Sequence, residues 1–198
     1  MNNPKVSIVI PFHWMKGWQY FLLRCLDSIE RQSFKDYEII ITKAGSMPVN
    51  SNRAIQSAKG EIIKILFLDD YFTYDDSLKN IVDNFTGTWL VTGCEHDDGV
   101  QRKSPHLARW NEEMYRGVNT IGSPSVVAFS SDHPLMFDEK LSWMLDCDLY
   151  TRLFQRYGLP VILDDINVAI GIGDHQTTHN LTREQKEEEV KYMLEKHS

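Results

Sequence analysis

Continuous apolar runs alternate with helix-spaced stripes through the first half of this chain. Val6–Ile10 (VSIVI), bounded by Pro4 and Pro11, is β-branched at every position but Ser7 and predicts a strand buried on both faces. Trp18, Phe21, Leu22, Cys25, Leu26 and Ile29 then recur at helical spacing, predicting an amphipathic helix from about Gly17 to Gln32. Tyr37–Thr42 (YEIIIT) reads as a second buried strand, and Ala54, Ile55 and Ala58 mark a short helix stopped by Gly60. Ile62–Leu68 is the third strand. Leu78, Ile81, Val82 and Phe85 form a helix that opens near Asp75–Asp76 and ends at Gly87, and Thr88–Gly93 is the fourth strand. Apolar strands separated by helices predict an α/β fold, with a mainly parallel central sheet covered by helices on both faces.

The pattern changes at Cys94. Residues 95–124 are polar and turn-rich, which predicts a long loop of the kind that often carries function. Ser125–Phe129 resumes as a strand, and Leu145, Leu149, Leu153 and Tyr157 form a helical stripe ending at Gly158. Val161–Leu163 and Ile166–Ile172 read as two strand segments. Thr182 with Gln185 makes a capping box for a final helix, Arg183–Lys196. A length of 198 residues without repeats suits a single domain, 1–198, with halves of about 1–93 and 94–198.

Composition narrows the function classes. A formal net charge of −7 without a dense Lys/Arg block argues against nucleic acid as the main partner. It leaves room for an anionic nucleotide held by a metal and local donors. Cys25, Cys94 and Cys147 are far apart, so neither a zinc knuckle nor a disulfide framework is indicated. The N-terminal MNNPKVSIVIPF lacks a signal-peptide pattern, and no apolar run approaches ~18 residues, so no transmembrane segment is expected. The expected location is cytoplasmic. Nothing in the pattern sets an oligomeric state.

The third strand stops on adjacent carboxylates, Asp69 and Asp70. Ionised acids beside an apolar core are disfavoured without a cationic partner or a metal. Ligands of open α/β sheets bind at the carboxyl ends of the strands. The residues past the first three strands are Pro11-Phe12-His13-Trp14, Lys43-Ala44-Gly45-Ser46 and Asp69-Asp70. They supply aromatic surface, a cation, a small-residue turn and a carboxylate pair, a set that suits a nucleotide diphosphate with a divalent metal. Neither GxGxxG after the first strand nor GxxxxGK[ST] is present, which argues against a dinucleotide site or a P-loop.

VSIVIPF, LDSIERQSFKDYEIII and SNRAIQSAKGEIIKILFLDD, in that order, resemble the N-terminal half of a family 2 glycosyltransferase with the GT-A fold. FDEKLSWMLDCDLYTRLFQRYG resembles that family's later acidic motif, so the resemblance covers most of the chain. It implies that Pro11, Phe12 and His13 line the nucleobase and ribose pocket, and that Asn52 helps shape it. It implies Asp69 near the ribose or the metal shell, Asp70 on the metal, and His175 as a late residue touching metal or diphosphate. Asp146 matches the general base. The sequence departs from the family where Lys43-Ala44 replace two acids, and where Tyr71 stands for a further acid. Lys43 then contacts phosphate or is simply solvated.

The implied chemistry is transfer of a sugar from a nucleotide-diphosphate donor to a carbohydrate or other hydroxyl-bearing acceptor. Mn²⁺ or Mg²⁺ would stabilise the departing diphosphate, and one carboxylate base implies inversion. Structural readings stand beside these roles. Asp69–Asp70 would otherwise form a strand-end turn, with Asp75 and Asp76 serving the next helix as caps. Asp146 would otherwise be an N-cap, with Asp148 as a competing base, and His175 a loop histidine. His96 and His106 read as surface histidines, Trp110 and Trp143 as packing or as an acceptor platform, and Glu187–Glu189 as a solvated helix face. Two other functions compete: a non-catalytic binder of nucleotide sugars or a partner, and a nucleotidyltransferase.

Overall fold

The computed structural model describes residues 3–197. One eight-stranded sheet organises the chain. Its strands are β1 (Val6–Pro11), β2 (Tyr37–Thr42), β3 (Ile62–Ile65), β4 (Tyr71–Phe72), β5 (Trp89–Asp97), β6 (Arg102–His106), β7 (Val127–Ser130) and β8 (Val161–Gly171). The order is β2-β1-β3-β7-β5-β8-β4, with β6 paired to β5 outside this path. β1, β2, β3, β5 and β8 run one way; β4, β6 and β7 run against them. The sheet is therefore mainly parallel, and it takes strands from both halves of the chain.

Helices α1 (Trp18–Glu30), α2 (Met47–Ser57), α3 (Ser77–Asp83), α4 (Leu145–Tyr157), α5 (Thr177–Asn180) and α6 (Arg183–His197) complete the fold. Tyr37 and Thr42 point to opposite faces of β2 because they stand an odd number of positions apart. Tyr37 Oη donates to Ile29 O of α1 at 3.1 Å, and Thr42 Oγ1 to Asn50 O of α2 at 2.8 Å. Helices thus cover both faces. The core between them includes all of Ile8, Ile10, Ile63, Ile65, Val91, Phe129 and Leu149, each almost without exposure. Among the described residues, no helix is long and apolar enough to cross a membrane.

Several elements differ from the sequence reading. The ladder of β3 ends at Ile65 rather than Leu68. The long loop expected over 95–124 holds the end of β5, the hairpin arm β6 and a short 3-10 turn, Glu112–Arg116. β6 (RKSPH) is exposed along most of its length, so it lacks the apolar alternation that marks a strand. Its Pro105 is tolerated because the strand sits on the edge. The two segments expected after α4 form one strand, β8, whose register against β5 slips between Leu163 and Ile166. A Cβ on Gly93 would lie 3.0 Å from Asp165 O and 3.2 Å from His106 O, so the backbones crowd this crossing.

The caps also differ. Asp76 occupies the N-cap of α3 but its side chain makes no capping bond. Gln32, only 1% exposed, reaches over from the end of α1, and its Oε1 accepts from Leu78 N at 2.7 Å. Glu189 is no solvated residue: its carboxylate accepts from the N–H groups of Ser142, Trp143 and Met144 at 2.8–2.9 Å and caps α4 from α6. The capping box at Thr182 and Gln185 is present, with reciprocal bonds of 2.9 and 3.2 Å.

Candidate active site

The acidic pair sits where β3 leaves the sheet. Beyond Ile65 the chain stays extended, pinned by Leu66 N to Val9 O at 3.0 Å and by Phe67 N to Ser125 Oγ at 2.8 Å. A turn then closes from Asp70 N to Phe67 O at 3.0 Å, and Tyr71–Phe72 pair antiparallel with Val168–Ala169 of β8. This brings the turn against Gly171, where a Cβ would lie 2.6 Å from Asp69 O.

The two acids have different surroundings. Asp70 is 2% exposed; its Oδ1 accepts from Gly171 N at 2.9 Å and its Oδ2 from Ser123 Oγ at 3.4 Å. Burial, with the neighbouring Asp69 charge, holds its pKa well above the usual carboxylate range. Asp69 faces His175, with Oδ2 at 2.8 Å from Nε2. That contact raises the pKa of His175, whereas burial lowers that of His13 nearby.

Arg24 and Lys64, which the sequence reading passed over, hold this corner. Arg24 donates through Nη2 to Asp69 O and through Nη1 to Asp97 Oδ2, both at 2.6 Å. Its guanidinium lies 4.3 Å over the Tyr71 ring, and Tyr71 Oη donates to the same Asp97 carboxylate at 2.8 Å. Tyr71, in the place of an acid, is thus wired to an acid on β5. Arg24 was discoverable, since it falls between Phe21 and Ser28 at helical spacing, on the covered side of α1. Lys64 is fully buried, with Nζ donating to Ile65 O at 2.8 Å and also to Ser125 O. Burial lowers its pKa to about 7.

The second acidic centre stands at the start of α4. Asp146 lies in the first turn; its Oδ2 accepts from Asn119 Nδ2 and its Oδ1 from Cys147 N, each at 2.7 Å. Desolvation raises its pKa to about 6. It is not the helix's N-cap, since Met144 holds that position and Glu189 supplies the bonds. Asp148 is a structural acid: it has no exposure and pairs with Arg152, Lys196 and His197 at 2.6–2.9 Å, which lowers its pKa.

The segment Asn119–Ser125 joins the two centres. Asn119 holds Asp146 and accepts from Ile121 N and Gly122 N at 3.0 and 2.9 Å. Ser123 meets Asp70, and Ser125 supports Phe67 and receives Lys64. Tyr150 Oη on α4 donates to Gly122 O at 3.2 Å and completes the bridge.

A cleft of about 400 Å³ opens between these centres at the carboxyl edge of β1 and β3. His13, Asp69, Asp70, Asp146 and His175 all line it, with Trp143, His96 and His106. His96 and His106 reach it because β5 and β6 form a hairpin there. Pro11, Phe12, Lys43 and Asn52 stand outside its lining. Pro11 and Phe12 are buried. Lys43 Nζ lies 4.0 Å from the exposed Trp14 ring. Asn52 clasps the Phe137 backbone, donating to its carbonyl at 3.0 Å and accepting from its N–H at 2.7 Å. Trp110 stacks on Phe154 at 4.2 Å and belongs to the packing.

Among the described residues, no group of three or more His, Cys, Asp or Glu side chains converges on a metal position. Asp69 and His175 nevertheless adjoin in the cleft, with Asp70 behind them. Mg²⁺ is commonly held by one or two carboxylates while water and phosphate oxygens fill its other positions. The oxygen and imidazole donors present fit that arrangement, or the Mn²⁺ equivalent.

No protein-family model and no curated protein matches the chain. Solved structures do. S. aureus TarS 1–349 superposes with a TM-score of 0.64 at 15% identity, over 84% of this chain and 60% of that one. The same fragment in complex with UDP gives 0.64 at 14% identity, over 98% of this chain and 71% of that one. The fragment in complex with UDP-GlcNAc gives 0.63 at 12% identity, over 90% and 61%. The chain therefore spans about 60% of the first of these structures. At such identities the likeness concerns the fold: the chain has the GT-A-like architecture of the glycosyltransferase TarS.

Proposed function

We propose that this chain is an inverting, family 2-like glycosyltransferase that moves a sugar from a nucleotide-diphosphate donor to a hydroxyl-bearing acceptor. The observation that carries this reading is one cleft with an Asp69–Asp70–His175 end, an Asp146 end and a single bridging segment. The complexes of TarS with UDP and UDP-GlcNAc support a nucleotide-sugar donor.

In this reading Asp69 and His175 hold Mn²⁺ or Mg²⁺, which when bound neutralises charge on the departing diphosphate. Asp70 stays behind them, fixed by Gly171 and Ser123, and holds the turn that presents Asp69. His13 forms the wall nearest the donor on the buried floor of Pro11 and Phe12, and Lys43 with Trp14 edges the nucleotide side. Asn52 acts through the Phe137 loop. Asp146 takes the acceptor hydroxyl's proton, its basicity lifted by burial toward the working pH. Trp143 offers an apolar face to the acceptor. Attack from the Asp146 side, opposite the diphosphate, gives inversion.

Isothermal calorimetry of UDP-, GDP-, CMP- and dTDP-sugars, with Mn²⁺, with Mg²⁺ and with EDTA, tests this. One donor is expected to bind, at least ~10-fold more weakly in EDTA, a difference of about 1.4 kcal/mol. Binding of none refutes the donor reading; unchanged affinity in EDTA removes the metal. A second reading, a non-catalytic nucleotide-sugar binder, draws on the inward turn of Asp70 and on Lys43-Ala44. Donor binding without acceptor-dependent nucleotide release would favour it.

A further inference from the structure

Among the described residues, the sheet ends at β2 on an open edge. Asp36 and Thr42 aim their carbonyls at β1, accepting from Val6 N at 3.2 Å and Phe12 N at 2.8 Å. In a parallel ladder, a residue's N–H and C=O point to the same side, and that side alternates along the strand. The even-numbered residues of β2 therefore serve β1, and Ile39 and Ile41 turn their backbone groups outward. Their side chains are 39% and 45% exposed. Tyr37–Thr42 contains neither proline nor lysine, and its register with β1 is regular. Its only charge, Glu38, is folded inward, accepting from Ser7 Oγ at 2.6 Å and Lys59 N at 2.8 Å. A straight, isoleucine-rich edge without such guards is a template for another strand.

We propose that a second copy of this chain covers this edge, through antiparallel pairing of β2 with β2 about a two-fold axis at Ile40. An axis normal to the sheet sets residues of equal parity opposite one another. Centred on Ile40, Ile39 faces Ile41 of the second copy and Ile41 faces its Ile39. Each pair exchanges both N–H···O bonds through the groups that already point outward. The charges select this register. Centring on Ile39 opposes Lys35 and Lys43 twice, and like charges directly opposite destabilise a sheet. Centring on Ile41 sets Lys43 against Ile39 and shortens the overlap. In the Ile40 register Lys43 faces Tyr37, beside Asp36. Trp14, 63% exposed and against Lys43, extends the covered apolar surface beyond the strand.

A single pair of six-residue strands makes a small contact, and small interfaces are weak, so association in the micromolar range is expected. The axis reverses strand direction, so the two clefts open at opposite ends of the doubled sheet and both stay accessible.

Two experiments test the pairing. In sedimentation equilibrium the wild type is expected to rise with concentration from 23.0 kDa toward twice that mass. Ile41→Lys, on an exposed position, is expected to stay monomeric with an unchanged circular dichroism spectrum and melting temperature. Under mild oxidation, Ile40→Cys is expected to form an interchain disulfide, because opposed non-hydrogen-bonded residues lie ~4.5 Å apart at Cα, within disulfide reach. Lys43→Cys, ~20 Å from its mate in this register, is expected not to. The native cysteines are buried and do not compete. A wild type monomeric at every concentration, a dimer that survives Ile41→Lys, or equal cross-linking of the two cysteine variants overturns the proposal. Should Ile40→Cys misfold, the sedimentation result alone decides.

Discussion

Replacing Asp146 by asparagine separates the charge of this side chain from its shape. Burial raises its pKa from 3.8 to about 6, so the folded state binds that proton more tightly than the unfolded state does. The stability this contributes is present below the unfolded pKa and lost as pH rises through about 6. A shift of about two units corresponds to about 3 kcal/mol. The asparagine carries no such penalty, but it has one acceptor where Asp146 uses two, for Asn119 and for Cys147 N. Its amide nitrogen must face a donor, at a cost of about 1–3 kcal/mol. That cost does not depend on pH, whereas the charge penalty does. Urea unfolding of both proteins between pH 4 and 8 therefore isolates the ionisation: the variant should gain about 2.5 kcal/mol on the wild type across this window, the rest lying below pH 4. Turnover should fall ~10²–10⁴-fold while donor affinity stays constant, and wild-type turnover should decline below about pH 6 as the base is protonated. A stability difference that is flat with pH refutes the buried-carboxylate argument. Undiminished turnover in the variant removes Asp146 from the chemistry.

Two further outcomes follow from the packing around the cleft. Gly171→Ala sets a Cβ 2.6 Å from Asp69 O, so the Asp69–Asp70 turn must move. Donor affinity in calorimetry should drop at least ~10-fold, and an unaltered value would mean the turn does not shape the site. Asp148→Asn leaves Arg152, Lys196 and His197 without their buried anion and should cost about 3–5 kcal/mol. Hydrogen exchange should show the loss first in α6. Because pairing lowers the pKa of Asp148, its contribution is present above the unfolded pKa and vanishes as pH falls through the lowered value, opposite to Asp146.

The hydrophobic pattern determined most of the architecture. Strands buried on both faces, such as β1 and β3, and helices with one covered stripe, such as α1 and α4, must repeat apolar residues at their own period, so their type and approximate bounds are written locally. Asp69 and Asp70 were conspicuous for the same reason, since charge at the end of an apolar run carries a desolvation cost visible without coordinates. What lacked a local energetic signature stayed hidden. β6 buries little and shows no alternation. β4 has two residues and exists only because β8 lies beside it. Gln32 and Glu189 cap helices that lie far from them in sequence, and Lys64 passed as part of an apolar strand. The division of labour between the acids was also tertiary. Asp70 turns inward because Gly171, some hundred residues on, offers it an N–H. Asp148 is withdrawn by the cations of α6, and Asp146 remains free in the cleft because Asn119 and not a cation holds it. A carboxylate's role depends on which donors and charges the fold brings near it, and a sequence lists the acids without those neighbours.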